Sequence, residues 1–188
     1  MVCCLGVPAA FVRVLMAPPL LSLGVINVGD QFPEFDLVGS FRGDIGSFSL
    51  SELTDGAGLL VNVYAYDYQP ICESQVCSVD DMEWLTLTEG LNVVGVNGDG
   101  PCAHRRFAEE NALDYPLLSD TDHSLLHEIG VVYDEIDGLR EVPVRSVFLV
   151  DQTGTVRYRW VAANNTDPWT TDPIRELREV ADGLEAVA

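Results

Sequence analysis

From about residue 27 onward, the chain alternates short apolar blocks with polar blocks that contain glycine or proline. Residues 35–37 and 48–50 are short apolar segments that flank the glycine-rich stretch 39–46, and they predict a β-hairpin. Residues 59–64 form a nearly continuous apolar run with β-branched members, which is typical of a strand buried on both faces. This part of the chain therefore predicts a hairpin followed by a central strand.

The blocks that follow this strand predict further helices and strands in alternation, and Pro70 marks the turn before the first helix. The predicted elements are a helix over 72–88, a strand over 93–96, a helix over 103–111, a strand over 117–118, a helix capped by Ser119 or Thr121 that ends near Ile129, strands over 146–150 and 156–161 around a hairpin turn at 151–154, and a terminal helix over 174–187. A βαβ pattern with an antiparallel closing pair predicts an α/β protein, with a mixed central sheet flanked by helices.

Composition supports a globular protein and narrows its function. The chain has 188 residues, of which 47% are hydrophobic and 21% charged, so it suits one domain with a sizeable core. Its formal net charge of -20 argues against nucleic-acid binding, which needs a basic surface. All ten cationic residues are arginine, and this absence of lysine beside many acids favours a halophilic origin over a merely acidic protein.

The N-terminal segment differs from the rest of the chain in charge. Residues 1–29 contain one charged residue, Arg13, and the uncharged run 14–29 is too short for a stable membrane span. We interpret 1–27 as a leader that reflects a mis-assigned start codon, a weak export signal or an ordered extension. Residues 28–162 are then the folded domain and 163–188 a linker with a C-terminal helix, and we expect the protein to be cytoplasmic.

Cysteine chemistry is the strongest functional signal in the sequence. Five cysteines are an odd number in a chain too large to need disulfide stapling, which favours thiol chemistry or a metal. Cys72 follows a buried strand and a proline turn, and it falls in the first turn of the predicted helix 72–88. The helix dipole and unpaired backbone N–H groups there stabilise a thiolate, so we expect a nucleophilic cysteine rather than a small core residue.

Cys77 lies five residues further along the same predicted helix. That spacing corresponds to about 7.5 Å of rise and about 140° of rotation, which is incompatible with a disulfide while the helix is intact. If Cys72 is oxidised to a sulfenic acid, Cys77 can therefore react with it only after the first turn unwinds. The alternative is that Cys77 is an inert residue on the core face of the helix.

The stretch from Tyr64 to Cys77 resembles the peroxiredoxins (AhpC/TSA redoxins), especially the bacterioferritin-comigratory-protein branch. The peroxidatic loop of that branch runs Pro-x3-Thr-x2-Cys and often continues x4-Cys. Two further segments are similar to the family: residues 143–151 resemble its Arg-x-x-Phe-Leu-Ile-Asp strand, and residues 28–35 its Gly-x-x-Ala-Pro-x-Phe start. The likeness covers roughly residues 28–162.

This resemblance implies a thioredoxin-like fold and a thiol-dependent peroxidase that acts on hydrogen peroxide or organic hydroperoxides. It implies that Cys72 is the peroxidatic cysteine, Cys77 the resolving cysteine, and Arg145 the residue that stabilises the thiolate and the peroxide. It also implies recycling by a thioredoxin-like or glutaredoxin-like dithiol, a monomer or homodimer, and chemistry without a metal or cofactor.

The peroxidatic loop departs from the family pattern at three positions. The motif's proline is Ala65, its threonine is Gln69, and the acid often found three residues after the cysteine is Gln75. An amide on a longer side chain does not superpose on a threonine hydroxyl, and losing an orienting hydrogen bond costs on the order of 100-fold in rate. The alternative hypothesis is therefore a redoxin-fold protein with weak or no turnover, acting as a redox sensor or an interaction module.

Other potential ligands and thiols lie outside this loop. His123 and His127 share one predicted helix face, and Cys102 and His104 precede them, but a pair of surface histidines explains this pattern better than a metal site. Cys102 is an alternative resolving thiol. The glycines of 95–100 do not match a phosphate-binding loop.

The remaining expectations concern the residues around Cys72 and the ionisation of its thiol. We interpret Tyr64, Tyr66 and Tyr68 as core aromatics in preference to pocket residues, and Asp67 as a solvated or capping acid. Arg145 and the helix N-terminus must keep Cys72 ionised against a strongly acidic background. Low salt, which unscreens the acids, should therefore raise the pKa of Cys72.

Overall fold

The computed structural model describes residues 24–82, 90–136, 138–164 and 171–185. Its elements in chain order are β1 (Asp36–Phe41), β2 (Asp44–Ser49), α1 (Leu50–Leu53), β3 (Gly58–Val63), α2 (Pro70–Asp80), β4 (Leu91–Asn97), α3 (Pro101–Asn111), β5 (Leu117–Ser119), α4 (Ser124–Glu128), β6 (Val132–Ile136), β7 (Leu139–Pro143), β8 (Ser146–Val150), β9 (Val156–Val161) and α5 (Thr171–Glu185). Parts of four predicted segments lie outside this description: residues 1–23 of the leader, 83–88 of the helix 72–88, 165–170 of the linker and 186–187 of the terminal helix.

A mixed seven-stranded sheet organises the protein. Its strand order is β2-β1-β5-β4-β3-β8-β9. The β3, β4 and β5 strands are parallel, and every other neighbouring pair is antiparallel. The β6 and β7 strands form a separate two-stranded ribbon. A mixed sheet with helices in the connections confirms the predicted α/β class and is the thioredoxin-like fold.

The centre of the sheet is the most apolar part of the chain. All five residues of β8 are buried, as are five of the six in β3, because helices and loops cover both faces of these strands. Val61 pairs with Val94 on one side and with Phe148 on the other, which places β3 in the interior of the sheet. The loop after β3 consequently emerges at the carboxyl end of the parallel strands, where binding sites of such sheets lie.

Gly95 allows close packing at this end of the sheet. A Cβ atom on Gly95 would lie 2.6 Å from a methyl group of Leu117 and 3.2 Å from the ring of Tyr64. The glycine therefore lets the tyrosine ring lie directly against β4. This packing explains a glycine in a region where the sequence provides no phosphate-binding pattern.

The predicted N-terminal hairpin is confirmed, but its strands are longer than expected. The turn is formed by Arg42 and Gly43, which both have left-handed φ angles, 49° and 88°. Two such residues make the type I′ turn that suits the twist of a two-stranded hairpin. The glycine-rich stretch 39–46 thus lies mostly within β1 and β2. Ser49 then begins α1 with a capping box to Glu52, which the sequence analysis missed.

One prediction about the elements was wrong, and one element was missed. The helix expected to start at Ser119 or Thr121 starts at Ser124, because Ser119 ends β5 and His123 has a left-handed φ of 56° that keeps it outside the helix. The β6–β7 ribbon was not predicted, because its exposed residues, such as Asp134 and Glu135, interrupt the apolar pattern.

No helix in the described part of the chain combines the length and the apolar character that crossing a membrane would require.

Candidate active site

A tight loop joins the central strand to the helix that carries both predicted reactive cysteines. The backbone N–H of Tyr64 donates to the Val96 carbonyl, which extends the β3–β4 pairing by one residue into the loop 64–69. Pro70 occupies the start of α2, where a missing N–H costs nothing, and Gln69 precedes it with extended backbone angles. Cys72 therefore lies in the first turn of α2, as predicted.

Cys72 is completely buried at this helix start. Its Sγ donates to the side-chain carbonyl of Gln69 at 3.0 Å. Burial raises the pKa of the thiol, while backbone hydrogen bonds from Tyr66 and Ala65 and the charge of Arg145 act in the opposite direction. The net pKa is above the ordinary value, because the effect of burial outweighs that of these thiolate-stabilising groups.

Arg145 lies between β7 and β8 with only 2% of its surface exposed. Its charge is close enough to Cys72 to lower the pKa of the thiol. One guanidinium nitrogen donates to Gln75 Oε1 at 3.1 Å, and the guanidinium carbon lies 5.9 Å from the centre of the Trp160 ring. Arg145, from the connection between β7 and β8, therefore lies close to Cys72 in the first turn of α2.

Gln75 connects α2 to both the arginine and the sheet. Its amide nitrogen donates to Asn62 Oδ1 at 2.6 Å and to the Val63 carbonyl at 3.2 Å, while its oxygen accepts from Arg145. In the sequence, Gln75 stands out only as a departure from the family pattern. The usable signal was Asn62, a polar residue inside a buried apolar run, because such a residue requires a hydrogen-bond partner.

Cys77 lies on the same intact helix as Cys72, and both are free thiols. Cys77 is partly buried, and its Sγ lies 3.8 Å from Asn111 Oδ1 on α3. Burial and the nearby acids Glu73, Asp81 and Asp80 raise the pKa of its thiol. Because α2 is helical from residue 70 to residue 80, the two sulfurs can bond only after the helix rearranges.

Asp67 lies in a buried polar cluster, so the prediction of a solvated or capping acid was wrong. The Tyr64 hydroxyl and the Asn97 amide donate to Oδ1, at 2.9 and 3.3 Å. Nδ1 of His104 lies 3.0 Å from Oδ2, and His104 is fully buried. The backbone N–H of Asp67 donates to Asp99. Sequence spacing gave no indication that positions 67, 97 and 104 meet.

The three loop tyrosines have different environments. Tyr64 is fully buried and stacks on Phe107, in agreement with a core role, and Tyr66 is partly buried. Tyr68 is half exposed, and its ring packs edge-on against Phe107 with centroids 5.1 Å apart. Its φ of 60° is a left-handed value that costs a non-glycine residue energy.

The other candidate residues occupy separate positions. Cys102 is exposed in the first turn of α3, and the rings of His123 and His127 lie 6.5 Å apart near α4. Among the described residues, no hydrogen bond joins any of these three to Cys72. Only His104 of the predicted metal alternative belongs to the cluster behind the cysteine loop.

A thioredoxin-like sheet with a cysteine in the helix turn after its central strand defines a redoxin-class thiol protein. Comparisons with known proteins specify the family. A family profile described as the AhpC/TSA family matches residues 28–159. The chain belongs to this family, the peroxiredoxins.

The relatives indicate the branch. Peroxiredoxin Q of Gentiana triflora chloroplasts is 33% identical over 132 residues, which are 70% of this chain and 58% of that protein. The putative peroxiredoxin bcp of Haemophilus influenzae is 29% identical over 137 residues, which cover 70% and 83% of the two chains. The predicted bacterioferritin-comigratory-protein branch is thereby confirmed, although the chain spans less than two thirds of the chloroplastic relatives.

Solved structures agree on the fold. The AhpC of Mycobacterium tuberculosis superposes with a TM-score of 0.71 at 21% identity, over 86% of this chain and 94% of that one.

Proposed function

We propose that this protein is a thiol-dependent peroxidase that reduces hydrogen peroxide or organic hydroperoxides at Cys72. The observation that carries the proposal is the position of Cys72 in the first turn of α2, where backbone N–H groups and Arg145 converge on a buried sulfur. These are the groups that stabilise a thiolate and the negative charge that develops on a peroxide as its O–O bond breaks.

The chemistry begins when Cys72 loses its proton. The thiolate sulfur attacks one peroxide oxygen, the O–O bond breaks, and the leaving hydroxide or alkoxide takes up a proton to become water or an alcohol. The sulfur is oxidised to a sulfenic acid, and the peroxide is reduced. Arg145 is the cation that polarises the peroxide oxygens.

We assign Gln69 a role that depends on the protonation state of the cysteine. In the thiol state its carbonyl accepts the Cys72 proton at 3.0 Å. Once the sulfur is ionised, two acceptors would face each other, so the amide must rotate to donate an N–H instead. Gln69 therefore occupies the place of the family's threonine but works through an amide rotation.

Resolution follows on the same helix. The sulfur of Cys77 attacks the sulfenic sulfur of Cys72, the S–S bond forms, and water leaves. A thioredoxin-like or glutaredoxin-like dithiol then reduces the disulfide and is itself oxidised. Because the two cysteines are five positions apart on α2, the first turn must unwind during this step.

The test is turnover of peroxide by the full chain in the presence of a dithiol, beside a Cys72→Ser control. We expect several equivalents of peroxide consumed per protein, and a loss of two hydrogens that mass spectrometry localises to Cys72 and Cys77 after one equivalent. Consumption no faster than in the control would overturn the proposal.

A second candidate is a redox sensor that is oxidised once and turns over slowly. Two observations favour it: burial raises the pKa of Cys72, and the Gln69 carbonyl stabilises the thiol form. The same assay separates the candidates, because a sensor is fully oxidised by one equivalent of peroxide yet consumes further peroxide slowly or not at all when the dithiol is present.

Other expectations stay predictions. They are a monomer or homodimer, a cytoplasmic location, a halophilic origin, and a domain over residues 28–162 preceded by a leader.

A further inference from the structure

Asp67 and His104 form a buried ionisable pair that the proposed thiol chemistry does not use. Their side chains are 3% and 0% exposed, and Nδ1 of His104 lies 3.0 Å from Oδ2 of Asp67. Nε2 of His104 is buried and has no hydrogen-bond partner among the described residues. A bare ring nitrogen is better tolerated there than an N–H without an acceptor, so Nδ1 carries the proton and donates it to the carboxylate.

The carboxylate of Asp67 joins the cysteine loop to two neighbouring elements. It accepts from Tyr64 at the start of the loop, from Asn97 at the end of β4, and from His104 on α3. Its own backbone N–H is held by Asp99. Both the backbone and the side chain of this one loop residue are therefore fixed.

This anchor lies next to the groups that act on Cys72. Ala65 and Tyr66, which supply the backbone hydrogen bonds to the sulfur, directly precede Asp67 in the loop. A shift of Asp67 would therefore move both N–H groups away from Cys72. The negative charge of Asp67 is also close enough to oppose ionisation of the thiol. The pair thus influences the cysteine in two ways, through position and through charge.

We propose that Asp67 and His104 are positioning residues for Cys72. The His104 N–H holds the carboxylate so that the loop amides face the sulfur, and the charge of the carboxylate limits how readily the sulfur loses its proton. The other ionisable groups around the pair are Tyr64 and Tyr68 from the loop and Asp99 from the segment between β4 and α3. The proposal rests on the proposed function only in taking Cys72 as the reactive thiol.

Two substitutions of the histidine separate its hydrogen bond from its bulk. The amide nitrogen of asparagine can occupy the place of Nδ1, whereas the longer glutamine places its amide near the position of Nε2. His104→Asn therefore retains a donor to Asp67, and His104→Gln removes it. We expect the thiolate fraction of Cys72 at neutral pH to remain within about twofold of the parent protein in His104→Asn and to fall about tenfold in His104→Gln, since tenfold corresponds to one pKa unit.

Asp67→Asn tests the charge. It removes the negative charge but keeps an oxygen that accepts from Tyr64 and Asn97, and its amide can donate to the other tautomer of His104. We expect the pKa of Cys72 to fall, opposite in direction to the rise in His104→Gln. A merely structural anchor would move the pKa upward in both variants.

The measurement is the pH dependence of iodoacetamide alkylation at Cys72, localised by mass spectrometry in the full chain and accompanied by a thermal unfolding curve. It requires no peroxide, so it remains informative even when the protein fails to turn over peroxide. An upward shift in Asp67→Asn, or equal shifts in the two His104 variants, would overturn the proposal. Should His104→Gln fail to fold, the directions seen in Asp67→Asn and His104→Asn still decide it.

Discussion

The first turn of α2 and the remainder of that helix are held very differently. At the start, Gln69 makes no side-chain cap, and only its carbonyl takes part, as acceptor of the Glu73 N–H. Further along, Gln75 bonds to β3 and Arg145, and the Tyr115 hydroxyl donates to Val76 at 3.0 Å.

The end of the helix is held as well, because Asp80 accepts from the backbone of Asp114 at 2.9 Å. Cys72 belongs to the weakly held part and Cys77 to the firmly held part. If the two sulfurs react as proposed, we therefore expect Cys72 to move and Cys77 to stay in place. The difference also explains how one helix can hold a reactive sulfur in position and still release it.

The largest expected effect comes from removing each cysteine in turn. Cys72→Ser should abolish peroxide consumption, whereas Cys77→Ser should permit one oxidation and then accumulate sulfinic acid on Cys72. Mass spectrometry after successive peroxide equivalents measures both outcomes. Cys102→Ser is the matched comparison, and a disulfide lost in that variant instead of in Cys77→Ser would make Cys102 the resolving thiol.

Substituting Arg145 tests the charge that acts on the weakly held turn. Because burial raises the pKa of Cys72 and Arg145 lowers it, the rate of peroxide reaction should increase with pH as the thiolate forms, and Arg145→Met should move this increase to higher pH. We expect a loss of at least about tenfold at neutral pH. Arg145→Lys keeps the charge but loses the planar fork of the guanidinium group. Its rate at neutral pH should therefore lie between those of the parent protein and Arg145→Met. A pH profile unchanged in Arg145→Met would contradict the assignment.

Gln69→Thr should stabilise the first turn of α2, which is the weakly held part of the helix. A threonine at the position before the helix can accept an N–H of the first turn, which is worth about 1 kcal/mol, or about fivefold in the unwinding equilibrium. Disulfide formation should slow by about that factor, while the hydroxyl should speed the first oxidation. Stopped-flow tryptophan fluorescence resolves the two phases. Faster disulfide formation would mean that unwinding of this turn does not limit the rate.

Tyr115→Phe should weaken the firmly held part of α2. Losing the hydroxyl bond to Val76 should lower the free energy of unfolding by about 1 kcal/mol, measured by urea denaturation. Because this part of α2 stays fixed while the first turn unwinds, the rate of disulfide formation should remain unchanged. A clear acceleration would show that the helix moves as a whole.

Salt should produce the smallest effect. With a net charge of -20, lowering the ionic strength unscreens the acids and should raise the pKa of Cys72 by a fraction of a unit. A thiolate titration at low and at molar salt measures the shift. An invariant titration would mean that buried neighbours such as Arg145 alone determine the ionisation.

Elements with a continuous local signal could be predicted from the sequence. The apolar run 59–64, the proline at 70 and the cysteine at 72 are adjacent, and together they gave the central strand, the turn and the helix start. The β6–β7 ribbon was missed because exposed acids interrupt it, and the start of α4 was misplaced because nothing local reveals the left-handed conformation of His123.

The residues of the candidate site also differ in how far the sequence predicts them. Cys72 and Arg145 could be named because family motifs surround them, and their burial follows from apolar neighbours. The Asp67–His104 pair could not, because its two members are 37 positions apart and meet only through packing of α3 against the cysteine loop. Asn62 and Gln75 are intermediate in predictability, because a buried amide requires a hydrogen-bond partner but the sequence does not identify that partner.

Tyr68 combines a strained backbone with a stabilising ring contact. Its left-handed φ costs the protein on the order of 1 kcal/mol, whereas its ring packs edge-on against Phe107. Glycine at this position would relieve the strain, but it would lose the ring contact and increase the conformational entropy of the unfolded chain. Laboratory selection for heat resistance should therefore retain an aromatic residue at position 68.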